Sequence, residues 1–378
     1  MNWNWQHNNW PNFKYQTADF QEYESQFLVN RGMLVGSIKY LDEDQRVLLK
    51  IELISNEAHK TSKIEGELLN RDSLQSSIRK EFGLQVKNHR ATAAEYGIAE
   101  MMVSLYRNYD QALNKELLFK WHRMLCAGRK DLDTIGAFRK HEDPMQIVSG
   151  PIGRERVHYE APPSRSVEKE MTNFLHWYNS SRDQMGRNNP VLRAGVAHLY
   201  FESIHPFEDG NGRIGRAISE KVLSEYIGEP TLIALSQIIE QDKNEYYKSL
   251  HEASISLDIN PWLHYFSKLV LEAQAYSQKL VDLLMAKTTF YQKFDSRLNE
   301  RQKKVIARMF KAEPRGFEGG LSADNYVSIT GTSASTATRD LRQLAEIGAL
   351  MQKGQLKGTR YYLNLDKVYY LANKSNYY

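Results

Sequence analysis

The sequence is poor in cysteine, and Cys126 is the only one among 378 residues. A single thiol excludes an intramolecular disulfide and a zinc site built from several cysteines, so we expect Cys126 to fill a core position. Long apolar runs are also lacking, and none is long enough to cross a bilayer. The first residues show no basic segment followed by an apolar stretch, so no signal peptide is expected. These absences predict a cytoplasmic protein without membrane contacts.

Net charge is low as well, at +4 for the whole chain, and does not by itself indicate a nucleic-acid partner. Its distribution, however, is uneven. Residues 297–378 contain 14 Lys and Arg against 7 Asp and Glu, a net charge of +7 that leaves −3 for the rest. The C-terminal part alone therefore has the electrostatics of a nucleic-acid binder. The chain length suggests two or three globular domains.

Residues 205–216, with the sequence HPFEDGNGRIGR, contain the densest group of chemically active side chains. Gly210, Asn211 and Gly212 favour a sharp turn, because glycine adopts positive φ cheaply and asparagine tolerates it. Apolar residues then recur at helical spacing, so the turn leads into a helix N-terminus, whose free N–H groups bind anions. Arg213 and Arg216 share one face of the first turn. Cations there oppose the helix dipole, which favours an anion such as a polyphosphate between them and the N–H groups.

The residues just before this turn supply a candidate base and a candidate metal ligand. His205 can accept a proton from an attacking hydroxyl, and Asp209 can hold Mg²⁺ through oxygen. The plainer alternative is that His205 and Pro206 form a turn, Asp209 caps the helix and the arginines are solvated. We favour a catalytic site because so many active residues seldom fall within one short stretch.

This stretch resembles the signature of Fic-domain proteins, His-Pro-Phe-x-Asp/Glu-Gly-Asn-Gly-Arg-x-x-Arg, at every defined position. Most members of that family transfer AMP from ATP to a hydroxyl side chain of a target protein. The resemblance implies that His205 is the base and Asp209 the Mg²⁺ ligand. It also implies an ATP-binding set in which three residues form the anion hole and two arginines bind the distal phosphates: Gly210, Asn211, Gly212, Arg213 and Arg216.

A second motif lies at residues 61–66, with the sequence TSKIEG. Thr61 and Glu65 are four apart and share a helix face, and Gly66 can end that turn. Alone, this pattern is equally typical of a solvated carboxylate near a helix end. Beside the signature it resembles the Fic inhibitory motif, Ser/Thr-x-x-x-Glu-Gly/Asn, whose glutamate pairs with the second arginine and displaces the ATP γ-phosphate. The resemblance implies that Glu65 pairs with Arg216, with Thr61 on the same face to steady the carboxylate.

Three further features lie outside these motifs. Residues 136–139, with the sequence GAFR, resemble a pattern found early in Fic cores. Residues 147–153 and 157–159 predict two short strands around a Gly/Pro turn. In this family a β-hairpin flap at that position pairs with the target segment by strand addition, while a purely structural hairpin is the alternative. Tyr246 and Tyr247 resemble the aromatic wall beside adenine, although aromatic pairs are as often part of a core.

The C-terminal part predicts short helices at 302–310, 321–326 and 335–347, then a hairpin in residues 351–363. This order is typical of a helix-turn-helix with a wing, and residues 335–341 resemble a winged-helix recognition helix. DNA binding is one alternative, and a packing or dimerisation module is the other. In the first alternative, five basic residues contact phosphates: Arg339, Arg342, Lys353, Lys357 and Arg360.

The predicted fold is an all-α Fic fold with a short β-hairpin flap, followed by a winged helix-turn-helix domain. We expect an N-terminal helical region with the inhibitory motif in 1–90, a Fic catalytic core in 91–285 and the winged helix in 286–378. The resemblance implies a protein adenylyltransferase that uses ATP and Mg²⁺, modifies Ser, Thr or Tyr hydroxyls of target proteins and of itself, and is self-inhibited by Glu65. The alternatives are removal of AMP from modified proteins, and a DNA-binding regulator with a nucleotide-sensing core. Formation of a homodimer is left open.

Overall fold

The computed structural model of the protein describes residues 2–86, 90–149, 154, 156–185, 188–231, 233–312 and 319–365. Four of these, Ser149, Gln184, Ala312 and Lys357, are described by their backbone alone. Within the described ranges the chain forms fourteen α-helices and two antiparallel sheets of two strands each. The prediction of a mostly helical fold with a short β-hairpin is therefore confirmed. Among the same residues, no helix is long and apolar enough to span a membrane.

The chain divides into two compact units, each described here by itself. Unit 1 comprises Met1–Met33 and Glu43–Ser277, and unit 2 comprises Leu34–Asp42 and Gln278–Tyr378. The first helices of the chain are α1 (Gln21–Ile38), α2 (Glu43–Ile64), α3 (Arg71–Glu81), α4 (Ala93–Arg107) and α5 (Lys115–Leu125).

Side-chain caps fix the beginnings of several of these helices. Asn70 accepts from the Ser73 N–H at the start of α3, and Asn114 accepts from the Leu117 N–H at the start of α5. Thr92 and Glu95 form a reciprocal capping box at α4. Short polar side chains before α3, α4 and α5 thus satisfy N–H groups that have no acceptor within the helix.

The predicted hairpin is formed by β1 (Gln146–Ser149) and β2 (Arg156–Glu160), which pair antiparallel with Gln146 opposite Glu160. Its apolar residues Ile147, Val148 and Val157 are exposed. The predicted residues 150–153 lie outside the described part of the chain. The hairpin therefore presents an apolar, only partly covered surface.

The centre of unit 1 is a pair of packed helices, α7 (Pro190–Ile204) and α8 (Asn211–Ile227). Pro190 occupies the first turn of α7, where its missing N–H does no harm. Glu24 of α1 accepts from the next two N–H groups, those of Val191 and Leu192, at 3.2 and 2.9 Å. The surrounding helices are α6 (Ser164–Gln184), α9 (Leu235–Gln241), α10 (Lys243–Ser254) and α11 (Asn260–Phe294).

Unit 2 has a core of its own, in which Leu341 and Leu344 are fully buried. Gly331, with φ 71°, ends the second of its helices and lets the chain turn into the third. Tyr326 and Arg301 both bind the buried carboxylate of Asp340. Its elements are α12 (Glu300–Ala312), α13 (Ala323–Thr330), α14 (Ala334–Glu346), β3 (Leu350–Lys353) and β4 (Arg360–Leu363), with the two strands antiparallel.

Candidate active site

His205 is the residue that ends α7, and its backbone lies in the left-handed region with φ 49° and ψ 60°. A non-glycine residue adopts that conformation only when its surroundings hold it there. Arg139 supplies the restraint: its Nε donates to the His205 carbonyl at 2.8 Å, and its backbone N–H donates to the Pro206 carbonyl at 2.9 Å. The GAFR pattern thus contains a buried arginine that fixes the backbone of the candidate base, a role that the sequence did not reveal.

The imidazole of His205 is almost fully buried and suited to accept a proton. Burial, assisted by the positive charge of Arg139, lowers the pKa of His205 to about 4. The ring is therefore neutral at pH 7. Among the described residues its Nδ1 has no hydrogen-bond partner, and an oxygen of Glu202 lies 3.8 Å away.

The turn after His205 forms a cradle of backbone N–H groups. Gly210 has φ 84° and precedes the first residue of α8, as the glycine-rich sequence predicted. Asn211 Oδ1 accepts from the Phe207 N–H at 2.9 Å, and its Nδ2 donates to the Phe207 carbonyl at 2.8 Å. The Asn211 side chain therefore shapes the turn. The first turn of α8 can bind an anion through its backbone N–H groups, which have no acceptor within the helix.

Glu65 lies directly against this cradle and binds the second arginine. Arg216, only 2% exposed, donates from Nη2 to Glu65 Oε1 at 2.6 Å and from Nε to Thr61 Oγ1 at 2.8 Å. A Cβ atom on Gly212 would overlap Glu65 Oε1, so the glycine is what allows the carboxylate to approach. Glu65 and Arg216 are thus in contact as expected, but the hydroxyl of Thr61, expected to steady the carboxylate, binds the arginine. Gly66, with φ 83°, ends this segment as expected.

The first arginine is also paired with acidic side chains. Arg213, 5% exposed, donates to Glu67 Oε2 at 2.8 Å and to Asp209 Oδ1 at 3.3 Å. The other oxygen of Asp209 accepts from Arg129 at 2.5 Å. Sequence analysis did not identify Glu67 or Arg129 as residues of the site. Glu67 stands two residues after Glu65 and could have been suspected, whereas nothing in the sequence pattern points to Arg129.

Asp209 meets the requirements of a Mg²⁺ ligand. Burial raises the pKa of Asp209, but the charges of Arg213 and Arg129 outweigh that effect and hold the pKa below its usual value. The group is therefore an anion at neutral pH. Among the described residues there is no cluster of three or more His, Cys, Asp or Glu that could hold a metal. Proteins commonly bind Mg²⁺ through one or two carboxylates together with substrate phosphates, so a single carboxylate beside an anion cradle fits.

The helix that precedes Glu65 is tied to α9. Glu57 accepts twice from the Ser236 N–H, at 2.9 and 3.0 Å, in the first turn of α9. Lys60 and Lys63 both bind Glu240 near the other end of α9, at 2.9 and 2.5 Å. These contacts fix α2, and with it the base from which Glu65 extends.

A cavity of about 760 Å³ opens beside these residues, and its lining includes His205, Glu65, Arg216 and the hairpin residue Ile147. Its volume lies within the range of small-molecule sites. The hairpin thus borders the same space as the candidate base and the anion cradle.

The two adjacent tyrosines differ in environment. Tyr246 is 1% exposed and its hydroxyl lies 2.7 Å from Nε2 of His198, whereas Tyr247 is 44% exposed; both residues line the cavity. His198 is fully buried, and burial lowers its pKa to about 3. Cys126 is buried, as expected.

The basic residues predicted to bind DNA all belong to unit 2. Arg339 and Arg342 are exposed on α14, and Lys353 is exposed on β3 with its Nζ 5.3 Å from the ring of Tyr362. Arg360 is half-buried on β4. Lys357 falls among the residues described by backbone alone, so its side chain lies outside the description.

The geometry of these residues defines a class of site. A buried neutral histidine stands next to a helix N-terminus with two arginines, in a cavity large enough for a nucleotide. Comparison with known proteins then assigns this arrangement: residues 112–223 match the model of the Fic/DOC family. The chain therefore contains a Fic domain, which confirms the resemblance seen in the sequence. Residues 3–84 match a second model, described as a domain of unknown function (DUF4172).

Two curated proteins illustrate the relationship. The chain is 28% identical over 130 residues to a protein adenylyltransferase Fic of Nematostella vectensis, covering 34% of this chain and 27% of the relative. It is 28% identical over 197 residues to a protein adenylyltransferase Fic of Drosophila grimshawi, covering 50% of this chain and 37% of the relative. The matches thus span well under half the length of these relatives.

Solved structures extend the likeness of the fold. A Fic family protein from Desulfovibrio desulfuricans G20 aligns with a TM-score of 0.52 at 20% identity, over 93% of this chain and 98% of that one. A Fic domain containing signaling protein from Bacteroides thetaiotaomicron VPI-5482 aligns with a TM-score of 0.53 at 21% identity, over 68% and 96%. At such identities the likeness concerns the fold alone.

Proposed function

We propose that this protein is an adenylyltransferase that moves AMP from ATP to a hydroxyl side chain of a target protein. The observation that carries the proposal is the meeting of His205 with the N-terminus of α8 in one cavity. The curated relatives are named protein adenylyltransferases, which supports the same reaction.

The chemical step assigned to His205 is removal of the proton from the attacking hydroxyl. The hydroxyl oxygen forms a bond to the α-phosphorus as its proton moves to the imidazole. The bond from that phosphorus to the bridging oxygen breaks, and pyrophosphate leaves with the electron pair. A neutral imidazole is required, and the low pKa of His205, about 4, provides it. The hairpin β1–β2 borders the cavity and is suited to hold the target segment by strand addition.

The remaining residues bind the triphosphate. Gly212 in the first turn of α8 and Arg216 line the cavity, and Arg213 follows in the same turn; Tyr246 and Tyr247, which also line the cavity, are suited to hold the adenine. Asp209 would hold Mg²⁺, whose charge offsets that of the phosphates. When the nucleotide binds, Arg213 and Arg216 exchange their carboxylate partners for phosphate oxygens.

Self-inhibition by Glu65 follows from that exchange. The carboxylate of Glu65 and the terminal phosphate are both anions that compete for Arg216, and Thr61 steadies the arginine through its hydroxyl. A charge-assisted hydrogen bond of about 1.5–3 kcal/mol corresponds to roughly a ten- to hundred-fold penalty on productive ATP binding.

A labelling experiment tests the proposed function. The full chain and its Glu65→Gly variant are incubated with ATP labelled on the α-phosphate and Mg²⁺, alone and with cell lysate. We expect label on protein, stronger with the variant and absent with His205→Ala. Release of AMP from modified proteins without any labelling would instead favour the reverse reaction.

A second candidate function is DNA binding by unit 2, supported by the exposed Arg339 and Arg342 on α14. Three helices followed by an antiparallel hairpin suit a winged helix in which α14 enters the major groove. In this alternative the Fic domain senses nucleotide for a regulator. Retardation of duplex DNA by the full chain, without labelling even by Glu65→Gly, would favour it.

A further inference from the structure

Asp209, the candidate Mg²⁺ ligand, already has hydrogen-bond partners on both of its oxygens. Its Oδ1 accepts from the Gly210 N–H at 2.5 Å and from Arg213 at 3.3 Å. Its Oδ2 accepts from Nη1 of Arg129 at 2.5 Å. A cation that binds this carboxylate must therefore compete with a side chain that is already bound to it. The proposed reaction gives no role to the arginine on Oδ2.

The two arginines that bind Asp209 differ in their access to solvent. The side chain of Arg213 is 5% exposed and also binds Glu67 at 2.8 Å, so it is held in the interior. The side chain of Arg129 is 39% exposed, and that of Asp209 is 33% exposed. An exposed ion pair contributes little, because water can solvate both charges when they separate, whereas a buried charge that loses its partner is strongly unfavourable. Arg129 is therefore the partner that a metal ion can displace.

A second carboxylate holds Arg129 from the other side. Its Nε and Nη2 donate to Oδ1 and Oδ2 of Asp131 at 2.8 and 2.6 Å, which leaves Nη1 for Asp209. When a cation takes Oδ2 of Asp209, Arg129 therefore keeps a counter-charge. Glu208 accepts from the Asp133 N–H at 2.9 Å, so the loop that carries Arg129 is tied to the signature and stays beside the site.

We propose that Arg129 occupies the metal position of Asp209 until a nucleotide arrives with its cation, and that it thereby sets the metal affinity of the site. The proposal rests on the nucleotide site of the proposed function and concerns a residue outside the signature. A free ion gains one carboxylate oxygen there and must displace an arginine, whereas an ion held by nucleotide phosphates keeps those oxygens as ligands. Arg129 thus favours the metal–nucleotide complex over the free ion.

The increase in nucleotide affinity that a metal ion supplies tests this competition. The full chain with Glu65→Gly binds α,β-methylene ATP, which cannot transfer AMP, and calorimetry measures the affinity once with Mn²⁺ and once with EDTA. The ratio of the two affinities isolates the metal from direct contacts between arginines and phosphates. Asp209→Asn should bring the ratio close to one. A ratio that survives Asp209→Asn unchanged places the metal elsewhere and overturns the proposal.

Arg129→Gln should raise this ratio about two- to fivefold, the range expected for the loss of one exposed ion pair. Lys130→Gln removes the same charge from the exposed neighbouring residue and is the matched control, which should hardly change the ratio. An unchanged or lower ratio in Arg129→Gln, or an equal rise in Lys130→Gln, overturns the proposal.

Asp131 supplies a second test with the opposite sign. Asp131→Asn removes the carboxylate that shares Arg129 with Asp209, so the arginine pairs more strongly with Asp209 and the ratio should fall. Added to Arg129→Gln, the same change should have little effect, because the two residues act through one pair. A fall of equal size in the double variant means that Asp131 does not act through Arg129, and overturns the proposal. If Glu65→Gly labels no protein, the transfer reaction fails, while the affinity ratio still decides the role of Arg129.

Discussion

Cations are held in opposite ways in the two units. In unit 1, Arg213 and Arg216 are buried and each touches a carboxylate, Glu67 and Glu65 respectively. In unit 2, Arg339 and Arg342 stand exposed on one helix. Both arrangements attract anions, but the physical cause of the attraction differs between them.

The buried pairs respond to an anion only by exchanging partners. Because the arginines are buried and each already binds a carboxylate, a ligand must offer oxygens in the geometry that the arginines and the helix N-terminus require. The exposed cations gain their attraction from charge density and released counterions, so their binding is weakly selective and falls with salt. The first arrangement suits recognition of one ligand class, and the second suits docking on a long polyanion.

The largest effect is expected when His205 is replaced, and it distinguishes the chemical step from anion binding in unit 1. His205→Ala should lower transfer by about 10²–10⁴-fold, because a positioned base is removed. ATP binding measured by calorimetry should stay nearly intact, since the arginines and N–H groups remain. His176→Ala, which removes an exposed histidine on α6, is the control and should leave both quantities unchanged. Retained activity without ATP binding would show that His205 has been given the wrong role.

The next effect tests whether the buried pair is inhibitory. Glu65→Gly should raise auto-modification by roughly tenfold or more, because the competitor for Arg216 is gone. Adding Arg216→Ala in that background should abolish activity, because the arginine also serves ATP. The control is Glu52→Gln, which alters a partly exposed carboxylate of α2 that binds Arg71 of α3. Equal labelling by wild type and Glu65→Gly would refute self-inhibition and leave the transfer chemistry standing.

A third prediction concerns the stability of the buried charges in unit 1. Burial raises the pKa of Glu24 to about 7, although its two backbone hydrogen bonds lower it. The folded state therefore holds this proton more tightly than the unfolded chain, whose glutamates titrate near 4.3. The stabilisation is complete below that value and is lost as pH rises through about 7. Urea unfolding from pH 4 to 8 should show wild type losing about 1–3 kcal/mol relative to Glu24→Gln.

The control for this prediction is Glu22→Gln, which removes an exposed carboxylate from the same helix and should run parallel to wild type. A free energy difference between wild type and Glu24→Gln that is constant with pH would mean that Glu24 titrates normally in the folded protein.

The smallest effect belongs to the exposed cations. If α14 binds DNA phosphates, replacing Arg339 and Arg342 by Ala in the full chain should reduce the slope of log K against log salt by about one unit for each phosphate that is no longer neutralised. Fluorescence anisotropy with a labelled duplex measures this. Lys303→Ala removes a charge already paired with Asp295 at 3.0 Å and should alter the slope less. No binding to any duplex at low salt would leave unit 2 a structural role.

Local patterns carried most of what could be read from the sequence. The turn before α8, and the position of Thr61 and Glu65 on one face of a helix, depend on residues within a few positions of one another. Residue spacing and the positions of the glycines are therefore enough to predict them. The contact of Glu65 with Arg216 crosses 151 positions and came from the family resemblance, because spacing carries no information over such a separation.

What the sequence missed depends on tertiary packing. Arg139 is an ordinary charged residue in a printed sequence, and only its burial against the backbone of His205 gives it a role. Two adjacent tyrosines looked equivalent, yet successive residues of a helix point about 100° apart, so Tyr246 is buried while Tyr247 is exposed, although both line the cavity. Arg129 reaches Asp209 across 80 positions and has no local signature.

The anchoring of α2 on α9 has a consequence for motion. Glu57 holds one end of α9, and Lys60 and Lys63 hold Glu240 near the other, so α2 has little freedom to swing as a body. Departure of Glu65 from Arg216 then requires only rotation of one side chain beyond the last helical turn. Rotamer changes of partly exposed side chains take picoseconds to nanoseconds, whereas hinge movements take microseconds or longer. Under the proposed self-inhibition, the inhibition is therefore relieved when the Glu65 side chain rotates away from Arg216, which is a rapid movement within the cavity. An agent that loosened a distant hinge would leave the Glu65 carboxylate bound to Arg216.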